Sequence, residues 1–368
     1  MTNFLILLRR VDKYLLGASM FLVMVGFLMI YSTTFSESEN IGLVTRQLVF
    51  FSIGLVLFFT FSSLDYKYLR RISVYIYVVG IALLVAVLFF GFDIRGTTRW
   101  FDLGVVQLQP VEYMKLALII MLATFFQRRL PAMTQFKNII FSFLLTLLPI
   151  ALVMMQTDLG SAMVLAAIWL GMLLACGIKK QHLLWLVLAL VIFSLLVWFV
   201  FLADYQKDRV FSFLDPNMDP QGKGYNAIQS ITAVGSGGLA GQGFARGIVS
   251  QLRFLPERQT DFIFASLAEE LGFVGASLLI IIFGFWFFRM AHVIRDSREN
   301  FGFFLALGIF IYFFVQSGIN IAMNIGLLPI TGLPLPLVSY GGSSLIVSLV
   351  ALGVMENVLI RSQGVSFD

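Results

Sequence analysis

Residues 15–34 read LLGASMFLVMVGFLMIYSTT, a run from Leu15 to Thr34 without one charged side chain. A helix of this length covers about 30 Å, the thickness of a bilayer's hydrocarbon core. Arg9, Arg10 and Lys13 precede it, yet the run is longer than the apolar core of a secretory signal and lacks a clear small-residue cleavage site. It reads as a retained membrane span.

Comparable runs start near Gln47, Ile72, Pro110, Asn138, Leu159, His182, Phe262, Phe301 and Leu345, ten in all. The composition agrees: 59% of residues are hydrophobic and 12% charged, where a soluble domain carries about a quarter charged. The expected fold is an all-α polytopic membrane protein of about ten helices, with residues 1–368 forming one membrane domain. No internal repeat, low-complexity tract or linker divides it.

Lys and Arg near spans stay on the cytoplasmic side. Alternate connections collect them, at Arg9/Arg10/Lys13, Lys67/Arg70/Arg71, Arg128/Arg129/Lys137, Lys179/Lys180, Arg289/Arg295/Arg298 and Arg361. The connections between these are nearly bare, with Arg46 after the first span and Arg95 and Arg99 after the third. Both termini are therefore expected in the cytoplasm, and the protein in the cytoplasmic (inner) membrane. The net charge of +5 follows from this asymmetry and points to anionic lipid headgroups rather than nucleic acid. A lone cysteine, Cys176, excludes an internal disulfide framework, and His182 and His292 sit at cytoplasmic span ends.

One connection stands apart. Between the seventh and eighth spans, residues 203–262 form a long extracytoplasmic loop in which six basic residues balance six acidic ones. Loops of that length are functional or disordered. Its apolar positions, Phe211, Phe213, Leu214, Tyr225, Ile228, Ile231, Leu252 and Phe254, suggest a packed structure, a lid. Its Gly235-Ser236-Gly237-Gly238 and Gly241-Gln242-Gly243 are not a phosphate loop, because no Gly-Lys-Ser/Thr follows.

Ionisable groups at membrane depth are costly, and each is a functional candidate until a structural partner is found. Pro110-Val111-Glu112 opens the fourth span and leads to Lys115, placing Glu112 and Lys115 three apart on one helical face. They form either a self-neutralising pair behind an N-terminal cap or part of a site. Arg99-Trp100 suits phosphate and sugar contacts, or anchors the connection at the interface. Asp158 starts the sixth span, where capping is the default role. The long loop ends in Leu255-Pro256-Glu257-Arg258-Gln259-Thr260-Asp261, bringing two acids and a base to the mouth of the eighth span. Asp261 also suits a first helical turn on dipole grounds alone. Of Glu269 and Glu270, at least one must face the bundle interior or a polar cavity. Residues 324–344 carry Pro329, Pro334, Pro336 and Gly341-Gly342 in an apolar stretch, an irregular backbone tolerated at depth only when buried or lining a cavity.

Six segments in order, Thr98-Arg99-Trp100, Gln109 to Lys115, Gln156 to Gly160, Gln229-Ser230 with Gly235 to Gly238, Leu255 to Gly272, and Pro334 to Ser344, resemble the shape, elongation, division and sporulation (SEDS) family. Ser250-Gln251-Leu252, the Asp215-Pro216 and Asp219-Pro220 pair and the short termini look more like its elongation branch than its division branch. Val111 stands where the family usually has Ser, Thr157 where it usually has Pro, and Gln259 where it often has His, the last removing a proton relay at that position.

The resemblance implies a peptidoglycan glycosyltransferase that polymerises lipid II on the outer face of the membrane, beside a class B penicillin-binding protein and the elongation machinery. A sugar 4-hydroxyl would displace undecaprenyl diphosphate with inversion, which needs one base and a stabilised anionic leaving group. Asp261 matches the family's base. Arg99 and Lys115 would meet the diphosphate, with Trp100 and Gln109 beside the substrate. Glu112 and Asp158 would shape the cavity and orient Lys115, with Glu257 and Arg258 at its rim. Magnesium or manganese would suit a diphosphate, though no carboxylate spacing defines a metal site. A lipid II flippase and a noncatalytic scaffold are the competing readings. A flippase needs polar groups through the full depth, whereas these crowd outward except for Glu356.

Overall fold

The computed structural model describes residues 10–35, 40–94, 97–102, 107–133, 135–179, 181–182, 184–185, 188, 213, 215, 219–220, 222 and 224–362. Among them, eight helices are long and apolar enough to cross a membrane. In chain order these are α1 (Lys13–Thr33), α2 (Asn40–Ser63), α3 (Tyr66–Phe90), α4 (Pro110–Arg129), α5 (Phe136–Met155), α9 (Ile263–Asp296), α10 (Asn300–Asn324) and α11 (Gly342–Ser362). A ninth helix, α6 (Leu159–Ala175), is shorter at 17 residues. Most of the run expected from His182 lies outside the described residues, as do Phe211 and Leu214. In the described part of the long loop lie α7 (Tyr225–Ser236) and the single turn α8 (Ile248–Gln251).

Local chemistry sets the ends. Asp12 caps α1 by accepting from the Tyr14 and Leu15 amides at 2.9 and 3.2 Å, and Asp65 caps α3 through the Lys67 amide at 2.8 Å. Pro110 starts α4, where its missing N–H costs nothing. α4 and α11 form the centre: 83% of the apolar window of each is buried, against 22% for α2. Small residues let α2 and α11 approach closely. A Cβ on Gly353 would lie 2.5 Å from the Phe58 carbonyl oxygen, the small-residue contact on which packing in lipid relies.

At the end opposite the cavity described below, Arg289 donates to Asp12 at 3.0 Å and the Asp12 amide donates to Glu356 at 3.0 Å. Asn357 donates to the Phe61, Ser62 and Leu64 carbonyls and accepts from the Tyr66 amide at 3.3 Å, tying the turn between α2 and α3 to α11. Glu356, the exception to the outward crowding of charge, is thus part of a structural tie.

Two features depart from ten plain helices. The connection after α3 is a three-stranded antiparallel sheet, β1 (Phe92–Ile94), β2 (Thr97–Asp102) and β3 (Gln107–Leu108), in that spatial order. And α9, at 34 residues, would measure about 51 Å, well beyond the core. It breaks at Gly272 (φ 68°, ψ −166°), leaving residues 273–296 to span about 36 Å and 263–271 as a separate short helix beneath the loop.

The loop supplies what the break exposes. Gln242 and Gly243 amides donate to the Glu269 and Glu270 carbonyls at 3.0 Å, and the Phe273 and Val274 amides donate to Gly238 and Leu239 at 2.9 and 3.2 Å. The chains approach so closely that a Cβ on Gly241 (φ +80°) would lie 2.1 Å from the Glu270 oxygen. Glu269 and Glu270 both point inward. Glu269 accepts from the Val249 and Ser250 amides (2.7 and 3.0 Å) and the Ser250 hydroxyl (2.5 Å). Glu270 accepts from Ser32 and from the Ala245 amide at 3.2 Å. The loop is seated, but only partly by the large apolar residues expected to pack it: Phe213, Tyr225 and Ile228 are half-buried, while Ile231, Leu252 and Phe254 are exposed. Its own core is Ala233, Val249, Leu255 and Phe262, joined by Ala265. Backbone bonds and buried carboxylates hold it, which leaves large side chains free to face outward.

Candidate active site

β2, the start of α4, the turn 256–262 and the connection 330–344 enclose a cavity of about 860 Å³. That lies in the size range of small-molecule sites. The irregular 330–341 backbone lines this cavity, the circumstance that permits it at such depth.

Asp261 faces the cavity from the turn just before α9. The turn is tight, with Glu257 at φ 52°, a sparsely populated conformation of the kind that gathers at functional sites. Every link around it is bonded. Ser339 donates its hydroxyl to the Thr260 carbonyl at 2.6 Å and accepts the Leu335 amide at 2.8 Å, while the Tyr340 amide donates to Gln259 at 2.9 Å. The Asp261 carbonyl accepts two side-chain amides, Asn320 Nδ2 at 2.9 Å and Asn324 Nδ2 at 3.1 Å. Its carboxylate passes over Gly332 (φ +72°), where a Cβ would stand 3.4 Å from Asp261 Oδ2.

Arg99 is a cavity residue with a fixed guanidinium. Nε donates to the Gln156 carbonyl at 2.8 Å and Nη2 to the Thr157 carbonyl at 2.6 Å and hydroxyl at 3.1 Å. Asp158 lies 4.0 Å from Nη1, and its carboxylate caps α6 through the Ser161 amide at 3.0 Å and hydroxyl at 2.9 Å. Thr157 sits at φ 61°, a value the ring of proline forbids. The departure from the SEDS pattern at this position therefore comes with a different turn, and with a hydroxyl that Arg99 uses. Trp100, Gln109 and Glu257 also line the cavity; the Gln109 amide is held by the Ser343 hydroxyl at 3.0 Å.

Lys115 is placed elsewhere. It is fully buried and absent from the cavity lining, and Nζ donates to Glu112 Oε1 at 2.7 Å and Gln316 Oε1 at 2.8 Å. Tyr312 completes the cluster, donating to Glu112 Oε2 at 3.1 Å beneath the Lys115 ammonium, which lies 5.4 Å from its ring centroid. The pair anticipated from the spacing exists, and it lies below the cavity rather than in it. Gln316 donates to the Pro334 carbonyl at 3.0 Å, and Pro334 is cavity wall, so the Lys115 ammonium reaches the site indirectly, through Gln316. Arg258 is also buried, donating to the Ser250 carbonyl at 2.6 Å.

Sequence reasoning passed over Tyr312, Gln316, Asn320 and Asn324. Their spacing of four puts them on one face of α10, and all are fully buried. The signal was available as three amides at i, i+4 and i+8 in an apolar span. Arg46 and Tyr340 were also missed. Both line the cavity. Burial holds the Tyr340 phenol above its ordinary 10.0, opposed by the charge of Arg46 and its hydrogen bond to the phenol.

No group of three or more His, Cys, Asp or Glu side chains suited to a metal occurs among the described residues. Among the described residues, the cavity offers Glu257 and Asp261 alone as carboxylates. A magnesium or manganese ion there would take most of its ligands from phosphate oxygens and water, as magnesium usually does.

A bundle of apolar spans with a cavity that carries guanidinium and carboxylate side chains at one mouth defines a multi-pass membrane protein. Comparison with known proteins agrees. A family model described as "Cell cycle protein", which takes in FtsW, RodA and SpoVE, matches residues 13–364. Peptidoglycan glycosyltransferase MrdB of Escherichia coli (strain K12) is 38% identical over 350 residues, 94% of each chain. A chain of a solved peptidoglycan synthase complex, described as coordinating polymerization and crosslinking, superposes with a TM-score of 0.79 at 31% identity, covering 96% of this chain and 99% of that one. The rod shape determining protein RodA of Thermus thermophilus does so at 0.71 and 28%, covering 97% and 98%. The chain belongs to the FtsW, RodA and SpoVE family of cell cycle proteins, the SEDS family.

Proposed function

We propose that the protein is a peptidoglycan glycosyltransferase that polymerises lipid II into glycan strands for cell elongation. The observation that carries this reading is Asp261, a carboxylate held at the wall of a cavity that also contains fixed guanidinium. The similarity to MrdB supports both the activity and the elongation role.

In the reaction, the sugar 4-hydroxyl oxygen of one lipid-linked disaccharide forms a bond to the anomeric carbon of another. The anomeric bond to the diphosphate breaks with inversion, and the hydroxyl proton passes to the Asp261 carboxylate. Negative charge grows on the departing diphosphate. Arg99, already oriented by Gln156 and Thr157, meets it without reorganisation, and Arg46 adds a second guanidinium in the same cavity. Trp100 offers a face for a sugar. Glu112 and Lys115 support the wall through Gln316 and Pro334. A divalent cation would enter with the diphosphate, and no step here depends on one.

The cavity mouth is assigned to the outer face of the cytoplasmic membrane on charge placement, where lipid II is used. The likeness to a chain of a peptidoglycan synthase complex supports a class B penicillin-binding protein as partner. The flippase reading loses its one inward charge, because Glu356 is tied to Asp12 beside Arg289. Purified protein, alone and with its partner, is given lipid II and the product resolved on a gel. Glycan polymer is the expected result; none under either condition, with lipid II crossing liposome bilayers instead, would establish the flippase.

A further inference from the structure

Asn320 and Asn324 stand on successive turns of α10, fully buried in a span. Two primary amides at such depth demand partners, and they have them. Asn320 Nδ2 bridges the Asp261 carbonyl at 2.9 Å and the Leu333 carbonyl at 2.7 Å, the latter next to Gly332, over which the Asp261 carboxylate lies. Asn324 Nδ2 reaches the Asp261 carbonyl at 3.1 Å and the Asn320 carbonyl at 2.8 Å. Asn324 Oδ1 accepts the Ala265 amide at 3.2 Å, one of the amides that the start of α9 leaves unpaired. The Ser230 hydroxyl of loop helix α7 donates to the Asn324 carbonyl at 2.9 Å.

Three parts of the fold thus converge on these two residues: the turn bearing Asp261 and the wall under its carboxylate on their side chains, and the loop on the Asn324 backbone carbonyl. We infer that Asn320 and Asn324 are positioning residues for the transfer reaction, an amide clamp that fixes the Asp261 backbone so that its carboxylate meets the acceptor hydroxyl. The clamp touches neither substrate nor reacting atoms, since neither asparagine lines the cavity. Its cause is geometric. Asp261 lies just outside the helix and takes no α9 hydrogen bond at its carbonyl among those described, so the amides substitute for the regular structure that would otherwise hold it. A misplacement of about 1 Å at a reacting group can cost a hundredfold in rate.

The inference rests on Asp261 being the base, and the test separates the two. Steady-state polymerisation of lipid II and thermal unfolding are measured for wild type, Asp261→Asn, Asn320→Ala, Asn324→Ala and the double alanine variant. Each single clamp variant is expected to lose about tenfold in kcat, with KM for lipid II within twofold, because substrate contacts are untouched. A proportional rise in KM, or kcat per folded molecule equal to wild type, overturns the clamp. If Asp261→Asn keeps full rate, the base assignment fails instead. A second arm reads geometry without chemistry and guards against poorly folded variants. In a Cys176→Ser background, which removes the one native cysteine, Asp261→Cys is labelled with a water-soluble maleimide. Adding Asn320→Ala or Asn324→Ala should change the labelling rate at least threefold; an unchanged rate also overturns the inference.

Discussion

Replacing Lys115 with methionine distinguishes a wall support from a substrate ligand. The side chain is fully buried, and its ammonium is taken up by Glu112 at 2.7 Å and Gln316 at 2.8 Å. Lys115→Met keeps the length of the stem but leaves Glu112 buried with only the Tyr312 hydroxyl, at 3.1 Å, as a partner. Breaking a buried ion pair from one side costs about 3–5 kcal/mol, most of it the stranded charge. Lys115→Met with Glu112→Gln removes both charges and should recover most of that loss, to within about 1–2 kcal/mol of wild type. Unfolding of the detergent-solubilised protein, followed by tryptophan fluorescence, gives the stabilities, and lipid II polymerisation per folded molecule gives the activities. The single variant should be markedly less stable and the double variant close to wild type, with KM for lipid II little changed in both. A single variant of wild-type stability with a raised KM would show Lys115 contacting the diphosphate and would refute the placement below the cavity.

Other substitutions probe the remaining contacts. Arg99→Lys removes the fork that spans the Gln156 and Thr157 carbonyls at 2.8 and 2.6 Å, and kcat/KM should fall about tenfold to a hundredfold, ~1.4–2.7 kcal/mol, with little change in Tm. Gly332→Ala introduces a Cβ at φ +72° and 3.4 Å from Asp261 Oδ2; a backbone cost of about 1–2 kcal/mol should lower Tm, and polymerisation should fall with it. Glu269→Gln weakens the three bonds that seat α8. Limited proteolysis should then cut residues 237–252 sooner than in wild type while the spans stay intact.

The spans were legible because a bilayer imposes one strong rule, about 20 apolar residues per crossing, and Leu15–Thr34 obeys it without interruption. Starts were read late wherever a helix begins in polar sequence: α2 starts at Asn40 rather than Gln47, and α3 at Tyr66 rather than Ile72. The small sheet was missed because Phe92–Ile94 and Gln107–Leu108 are too short for an alternating pattern. The break at Gly272, two residues after Glu270, carries no signal of its own in the sequence, since what stabilises it is the remote 238–243 backbone. At the site, the linear segment 256–261 lines the cavity with every residue but Arg258, which turns away to the Ser250 carbonyl. Lys115 was assigned to the cavity because a motif gives spacing and not depth: its three-residue offset from Glu112 fixed the pair, while the direction of that helical face became visible only against Tyr312 and Gln316. Arg46 and Tyr340 reach the cavity from α2 and from the connection before α11, far apart in sequence, and only the fold brings them together.

The role of Asp261 is most directly tested by comparing wild type with Asp261→Asn, which keeps the shape and removes the negative charge. Binding of lipid II and its polymerisation are measured on the same preparations. An aspartate base requires binding within a few-fold of wild type and polymerisation reduced by at least a hundredfold, within the usual worth of general-base catalysis. Polymer formed at the wild-type rate by the asparagine variant would contradict it.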